Sequence, residues 1–482
     1  MALQFDHLQT DTIAAIATAM SEAGIGIIRI SGPDAAAIGS KLYRTPKKNK
    51  TDIALWNPGT IRFGYIVETD EDGQETLIDE VMLSWMKSPH SYTTEDTVEI
   101  NTHGGMFLMN RILALVLSAG ARMAEPGEFT KRAFLGGRID LARAEAVMDL
   151  ISSRNEFARK TSAAQLAGSV STKVKQLREK ILYEIAFIES ALDDPENYTL
   201  EGYTDRLMDT CRYLEKEMRA LLSHADEGRI LREGIRTAIV GRPNVGKSSL
   251  LNYLAGEERA IVTEIEGTTR DTLSESVRVG GVLLHLTDTA GIRQTDDKVE
   301  QIGVHRAQQA LDRAELILFV IDSSRKLSVE DEEIAERIID NLKEDKKCIL
   351  LMNKTDLSSE ATQKQVEELF TDRGSACPPL LFCSLQTGEG MQELGAFISE
   401  LFHTGEIAEK NEIFLVNLRH QDAVKEALES IVLVEDSIEN GMSEDFFSID
   451  LMNAYRVLGT ILGEAVEDDL VEEIFSKFCL GK

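Results

Sequence analysis

Gly241-Arg242-Pro243-Asn244-Val245-Gly246-Lys247-Ser248 decides the reading of this chain. It places two glycines ahead of a Lys-Ser pair. The apolar run Thr237 to Val240 precedes it, and Ser249-Leu250-Leu251-Asn252-Tyr253-Leu254 follows with helical character. Strand, glycine loop and helix together make a phosphate-binding loop. Backbone N–H groups at a helix N-terminus point at phosphate oxygens, and the helix dipole favours negative charge there. Gly241 and Gly246 let the backbone approach closely. Lys247 can reach the outer phosphates, and the Ser248 hydroxyl can hold Mg²⁺.

Outward from this loop, composition sets the frame. A chain of 482 residues suggests about three domains. With 43% hydrophobic and 28% charged residues it reads as globular and soluble. No apolar run is long enough to span a bilayer, and Met1 to Thr10 lacks the pattern of a secretory signal. Cys211, Cys348, Cys377, Cys383 and Cys479 are scattered without metal-ligand pairing, which suits a reducing cytoplasm. The net charge of −30 argues against a general nucleic-acid binder, which would carry a basic footprint.

Residues 234–403 alternate short buried strands (Leu283 to Leu286, Leu316 to Ile321, Cys348 to Met352, Leu380 to Cys383) with helix-sized segments, a mainly parallel α/β pattern. Residues 1–137 read as mixed α/β, with strands at Gly24 to Ile30, Ile61 to Val67, Val81 to Met86 and Thr97 to Thr102, and a helix at Met106 to Ala119. The flanks 138–233 and 404–482 are helical. Leu166, Val170, Val174, Leu177, Ile181, Ile185, Ile188 and Leu192 predict one long amphipathic helix. A second helix is expected from Asp205 to Ala225, with Thr204 as N-cap and Leu207, Cys211, Leu214, Met218 and Leu221 on one face. Ala423, Leu428, Ile431 and Val434 mark another. Neither flank looks complete alone, so the α/β domain is read as inserted into a helical domain built from both. The basic segment Lys41 to Lys50 reads as a solvated turn, and His103 and His285 as structural.

Further stretches turn the phosphate loop into a guanine nucleotide site. Asp288-Thr289-Ala290-Gly291 supplies a carboxylate for Mg²⁺ through water and a glycine N–H for the γ-phosphate. Asn353-Lys354-Thr355-Asp356 follows another strand; the Asp356 carboxylate accepts two donors from the guanine edge, and adenine would leave it unpaired. Ser384 sits where backbone N–H groups touch the guanine oxygen. Thr269, in Gly267-Thr268-Thr269-Arg270-Asp271, is a second hydroxyl for Mg²⁺. Ras-like enzymes orient the attacking water with a Gln near this motif, but Ile292 follows Gly291 here. An aliphatic side chain cannot polarise water. Arg293, Gln294 and Glu300 lie downstream, and Glu300 acting through a bridging water is favoured.

These motifs, together with Pro126-Gly127-Glu128-Phe129-Thr130 and the terminal Phe478-Cys479-Leu480-Gly481-Lys482, resemble the MnmE (TrmE) family of tRNA-modification GTPases over essentially the whole chain. The resemblance implies an N-terminal α/β domain that binds a 5-formyltetrahydrofolate-type one-carbon donor and forms a homodimer. It also implies a helical domain from two chain segments and an inserted Ras-like P-loop GTPase domain. The family, bacterial and organellar, acts with an FAD-containing partner, MnmG (GidA), on the wobble uridine of certain tRNAs, adding an aminomethyl or carboxymethylaminomethyl group; the cysteine pattern adds a cytoplasmic location. K⁺ replaces an arginine finger, and Asn244, Thr263, Ile265 and Thr268 match the potassium ligands. Val245 to Ser249, Glu264, Glu266, Gly267, Thr289, Ala290, Leu385 and the motif residues above complete the expected GTP site. Glu300 matches the catalytic glutamate, Arg293 lies beside it, and Cys479 is a candidate for the modification chemistry. Arg29, Glu99, Arg138 and Lys482 match the folate-contacting positions. Ser384-Leu385-Gln386 departs from the family's usual Ser-Ala. A regulatory GTP-binding module, for example in ribosome assembly with an N-terminal docking domain, is the alternative.

Overall fold

Ile28 and Ile30 on one strand, and Val98 and Ile100 on its neighbour, are fully buried, while Arg29 and Glu99 between them keep some exposure. This alternation marks a sheet with one covered face. It builds β2 (Ala23–Ser31) and β6 (Thr97–Gly104), which pair antiparallel with Arg29 opposite Glu99. The computed structural model describes residues 11–153, 155–194, 202–223, 234–257, 274–288, 311–342, 346–358, 361–402, 413–464, 466, 468–478 and 481. It has two units, one of Met1–Ser152, Ser162–Arg219 and Asp422–Lys482, the other of Ser153–Thr161 and Ala220–Gln421.

The first unit carries a seven-stranded sheet in the order β3-β4-β5-β6-β2-β1-β7. Its other strands are β1 (Ile13–Ile16), β3 (Tyr43–Arg44), β4 (Thr60–Thr69), β5 (Glu75–Met86) and β7 (Arg122–Met123). Only the β1–β7 pair is parallel. Helices α1 (Ala35–Leu42) and α2 (Met106–Ser118) seal one face, with Ile38, Ile112 and Val116 buried in the same core as Ile66, Leu83 and Trp85. A short helix α3 (Glu128–Leu135) follows β7. Arg44 departs from the solvated-turn expectation: it is 2% exposed and grips Glu75 with Nε and Nη2. A buried guanidinium needs such a partner, since desolvating an unpaired charge is costly.

The helical flanks of the second sheet form α4 (Leu141–Ser152), α5 (Glu156–Ala167), α6 (Ser169–Asp193) and α7 (Tyr203–Ser223) before it, and α12 (Leu418–Glu439), α13 (Glu444–Leu462) and α14 (Asp468–Ser476) after it. The expected single long helix is two. Gly168 adopts φ +102° and its N–H bonds back to Gln165, ending α5 before α6 begins; only glycine takes this left-handed geometry cheaply. Leu166 therefore belongs to α5, and Leu192 is 47% exposed near the end of α6. From Val170 to Ile188 the predicted stripe is buried, packed in part on α13. Thr204 lies inside α7 rather than capping it, since the helix begins at Tyr203. Leu207, Cys211, Leu214 and Met218 are buried as the spacing requires.

The second unit has the sheet order β13-β12-β11-β8-β10-β9. Its strands are β8 (Ile235–Val240), β9 (Ser274–Val279), β10 (Val282–Asp288), β11 (Leu316–Asp322), β12 (Lys347–Asn353) and β13 (Leu380–Phe382). All neighbours are parallel except β9, which meets β10 antiparallel across Gly280-Gly281. Strand β9 is not among the expected strands, although a Gly-Gly between apolar runs is a hairpin signal. Successive residues of β11 feed opposite cores. Leu318 and Val320 face α8 (Lys247–Glu257) and α11 (Met391–Leu401). Phe319 and Ile321 face α9 (Val329–Leu342) and α10 (Gln363–Thr371). Burial on both faces explains why these strands read as unbroken apolar runs.

Candidate functional site

Parallel pairing brings the C-terminal ends of β8, β10, β11, β12 and β13 to one sheet edge, where ligands bind in open α/β sheets. Gly241 to Gly246 leave β8 at that edge and run into α8, whose first residue is Lys247. Ser248 and Ser249 lie on its first turn, both exposed. Lys247 Nζ donates to the Gly241 and Arg242 carbonyls, both at 2.7 Å, so its ammonium arches over the loop. Asn244, at φ +64°, and Lys354, at φ +68°, both hold left-handed backbones. Such conformations cost about 1–3 kcal/mol each, and they persist where surroundings over-determine them.

The surroundings are specific. Asn353, buried at the end of β12, donates Nδ2 to the Val245 carbonyl at 2.7 Å and accepts the Leu385 N–H at 3.2 Å. Lys354 Nζ donates to the Asn244 carbonyl at 3.0 Å and to Asp322 Oδ2 at 2.6 Å. A Cβ on Gly246 would lie 2.3 Å from Asn353 Nδ2, so the second loop glycine is what lets these two loops touch. The Ser384 hydroxyl donates to Asp356 Oδ1 at 2.6 Å, and its own N–H bonds to the Glu389 carbonyl. Asp356 itself is exposed. The Ser384 backbone N–H is thus committed within its turn, and its link to the Asp356 loop runs through the side chain.

Asp322 and Arg242 carry no assigned part in the sequence reading. Asp322 ends β11, the strand end beside Asn353, and is 3% exposed. Burial pushes its carboxyl upward, but the Lys354 ammonium and the Ser324 hydroxyl and N–H outweigh that and hold it below the ordinary carboxylate range. Arg242 Nε sits 3.0 Å from Asp331 Oδ2, on the first turn of α9, and Asp331 is fully buried. Strand-end placement could have flagged Asp322; no spacing rule couples Arg242 to Asp331. Asp288 closes β10 at the same edge. Thr263, Glu264, Ile265, Glu266, Gly267, Thr268, Thr269, Thr289, Ala290, Gly291, Arg293 and Glu300 lie outside the described residues.

A second constellation belongs to the first unit. Arg29 Nε and Glu99 Oε1 are 2.8 Å apart, a pair set by the β2–β6 register. Arg138, beyond α3, donates Nη1 to the Tyr92 carbonyl at 3.1 Å. Tyr92, which no sequence motif marks, lies beside both cations. Cys479 and Lys482 fall outside the described residues; a Cβ on Gly481 would lie 2.3 Å from the Ile16 carbonyl, so Gly481 sits against the end of β1. Among the described residues no cluster of His, Cys, Asp or Glu has metal-binding form, and no helix is long and apolar enough to cross a membrane.

Residues 12–138 match the family model "GTP-binding protein TrmE N-terminus", and residues 141–479 match "MnmE helical domain". The chain is 50% identical to the tRNA modification GTPase MnmE of Lachnoclostridium phytofermentans over 98% of this chain and 100% of that one. It is 46% identical to that of Bacillus licheniformis, over 98% and 100%. Against that of Enterococcus faecalis it is 44% identical over the whole of both. The chain therefore belongs to the MnmE (TrmE) family of tRNA modification GTPases.

Proposed function

We propose that this tRNA modification GTPase is K⁺-stimulated. We further propose that, with the flavoprotein MnmG (GidA), it uses GTP hydrolysis to drive 5-formyltetrahydrofolate-dependent addition of an aminomethyl or carboxymethylaminomethyl group to the wobble uridine of tRNA. The observation that carries the nucleotide part is the clamp of Asn353 and Lys354 on the Val245 and Asn244 carbonyls. It ties the phosphate loop to the loop bearing Asp356, so base recognition and phosphate binding share one scaffold. The proposed division is an N-terminal domain at 1–137, a helical domain at 138–233 and 404–482, and a G domain at 234–403. The interrupted first unit, which resumes at Asp422, supports an inserted G domain.

In this reading the loop N–H groups and Lys247 bind the phosphates, Asp356 takes the guanine edge and Ser384 orients Asp356. Mg²⁺ would be held by Ser248 and Thr269, and K⁺ by Asn244, Thr263, Ile265 and Thr268. The exposed Asn244 amide in its left-handed turn and the Ser248 hydroxyl on the first helical turn are oxygen donors that suit hard cations. When bound, these ions place positive charge beside the transferring phosphoryl group. Glu300 acts on the attacking water through a second water, with Arg293 nearby. Arg29, Glu99, Arg138 and Lys482 hold the one-carbon donor, cations on its carboxylates and Glu99 on its amino-pyrimidine edge. Cys479 serves the modification chemistry. The exposed Ile61, Phe63 and Met82, with Phe63 opposite Met82 on neighbouring strands, support a homodimer through this domain. The regulatory-module alternative is set aside, because relatives matched end to end are named tRNA modification GTPases.

The potassium assignment is tested by GTP hydrolysis of the full chain in K⁺ and in Na⁺ at equal ionic strength. Turnover is expected to be at least about tenfold faster in K⁺, and Asn244→Ala should erase the difference. Equal rates in both salts would overturn the assignment.

A further inference from the structure

Pro126-Gly127-Glu128-Phe129-Thr130 runs into the start of α3, and its Phe129 and Thr130 lie against Tyr92. The Tyr92 hydroxyl lies 2.9 Å from Thr130 Oγ1, and its ring packs on the cluster of Ile13, Ala15, Ala124 and Phe129. The Arg29 guanidinium stands 5.4 Å from the centre of that ring, and the Arg138 guanidinium 4.7 Å. Arg138 also bonds the Tyr92 carbonyl. The segment around Tyr92 is tied down: Ser91 Oγ donates to the Glu95 carbonyl, and the Ser31 and Thr93 hydroxyls, both buried, meet at 2.6 Å. The start of α3 is fixed as well, because Glu128, 3% exposed, accepts from Arg122, Arg132 and the Glu125 N–H.

An aromatic face attracts a guanidinium without neutralising it. Arg29 already spends its charge on Glu99, whereas Arg138 makes no ion pair among the described residues. The ring therefore fixes the Arg138 cation while leaving it available to an anionic ligand group. We infer that Tyr92, braced by Thr130, is the positioning residue that holds Arg29 and Arg138 in register for a folate whose glutamyl carboxylate meets Arg138. The inference rests on the one-carbon-donor reading above. It also explains the Pro-Gly-Glu-Phe-Thr segment, in which Phe129 and Thr130 set the ring while α3 delivers Arg138.

The test is calorimetric binding to the full chain of 5-formyltetrahydrofolate and of 5-formyltetrahydropteroate, which lacks the glutamyl group. Tyr92→Leu is expected to lose at least about tenfold in affinity for the folate and little for the pteroate, so that the preference for the glutamylated ligand collapses. Tyr92→Phe, which keeps the ring and loses only the hydroxyl contact, should stay within about threefold of the parent on both. Retained pteroate binding, with far-UV circular dichroism and a thermal unfolding transition matching the parent's, reports that the first unit is folded in both variants. If Arg29→Ala binds folate normally, the one-carbon-donor reading itself fails. If Arg29→Ala loses binding while Tyr92→Leu keeps both affinity and preference, the positioning role is overturned. Equal losses on both ligands would also overturn it, since that marks a general structural effect.

Discussion

The strand-end site of the second unit and the Arg29 constellation of the first are built in opposite ways. In the former, side chains hold backbone: Asn353 and Lys354 fasten the Val245 and Asn244 carbonyls, and Lys247 bonds the Gly241 and Arg242 carbonyls. In the latter, side chains mostly hold side chains: Glu99 and the Tyr92 ring flank Arg29, and the Tyr92 ring flanks Arg138, which also bonds the Tyr92 carbonyl. A backbone cradle recognises phosphate, which every nucleotide shares, and leaves base selection to one carboxylate. A side-chain cradle recognises the whole ligand at once and depends on strand register. Damage should therefore spread differently from the two sites.

The largest effect is expected at Asp356. Asp356→Asn replaces an acceptor by a donor at the guanine edge and should lower GTP affinity by at least about 100-fold, while favouring xanthine nucleotides, which present a carbonyl there. Competition binding with GTP and XTP checks this. An unchanged preference for guanine would break the base-recognition half of the comparison.

How legible each region was follows from the same contrast. The nucleotide site uses short contiguous motifs at strand ends, so its residues could be read from local spacing: Gly246, Lys247, Asn353 and Asp356 converge at one edge. What escaped was non-local. Asp322 reaches Lys354 from another strand, and Arg242 reaches Asp331 across the loop. The Arg29–Glu99 pair depends on the β2–β6 register, which periodicity alone does not set, and those residues were named only through the family resemblance. Tyr92 carried no signal at all, because its meaning lies in the two cations the fold brings to it. Among the helices, apolar spacing located the buried stripes, but Gly168 divided what the period joined, since hydrophobic rhythm continues across a left-handed glycine.

A smaller effect is expected from the clamp's acidic member. Asp322 has its carboxyl held low in the folded chain, so its contribution to stability is fully present above about pH 5 and is lost as pH falls through the lowered value. Asp322→Asn should lower the Tm by a few degrees, roughly 2–4 °C per kcal/mol for a domain of this size, at pH 7 and should flatten the loss of Tm on acidification. Thermal unfolding from about pH 7 to pH 3 of parent and variant measures it. Parallel pH curves would show that the Lys354–Asp322 pair does not support the site.

The nucleotide site and the proposed one-carbon-donor site, built separately on one chain, should also fail separately. The most direct measurement is calorimetric binding of Mg-GTP and of 5-formyltetrahydrofolate to the full chain, to Arg29→Ala and to Asn353→Ala. Arg29→Ala should lose the folate by about tenfold or more and keep GTP, while Asn353→Ala should lose GTP by a similar factor and keep the folate. Loss of both ligands in either variant, or of neither in both, would contradict the separation of the two sites.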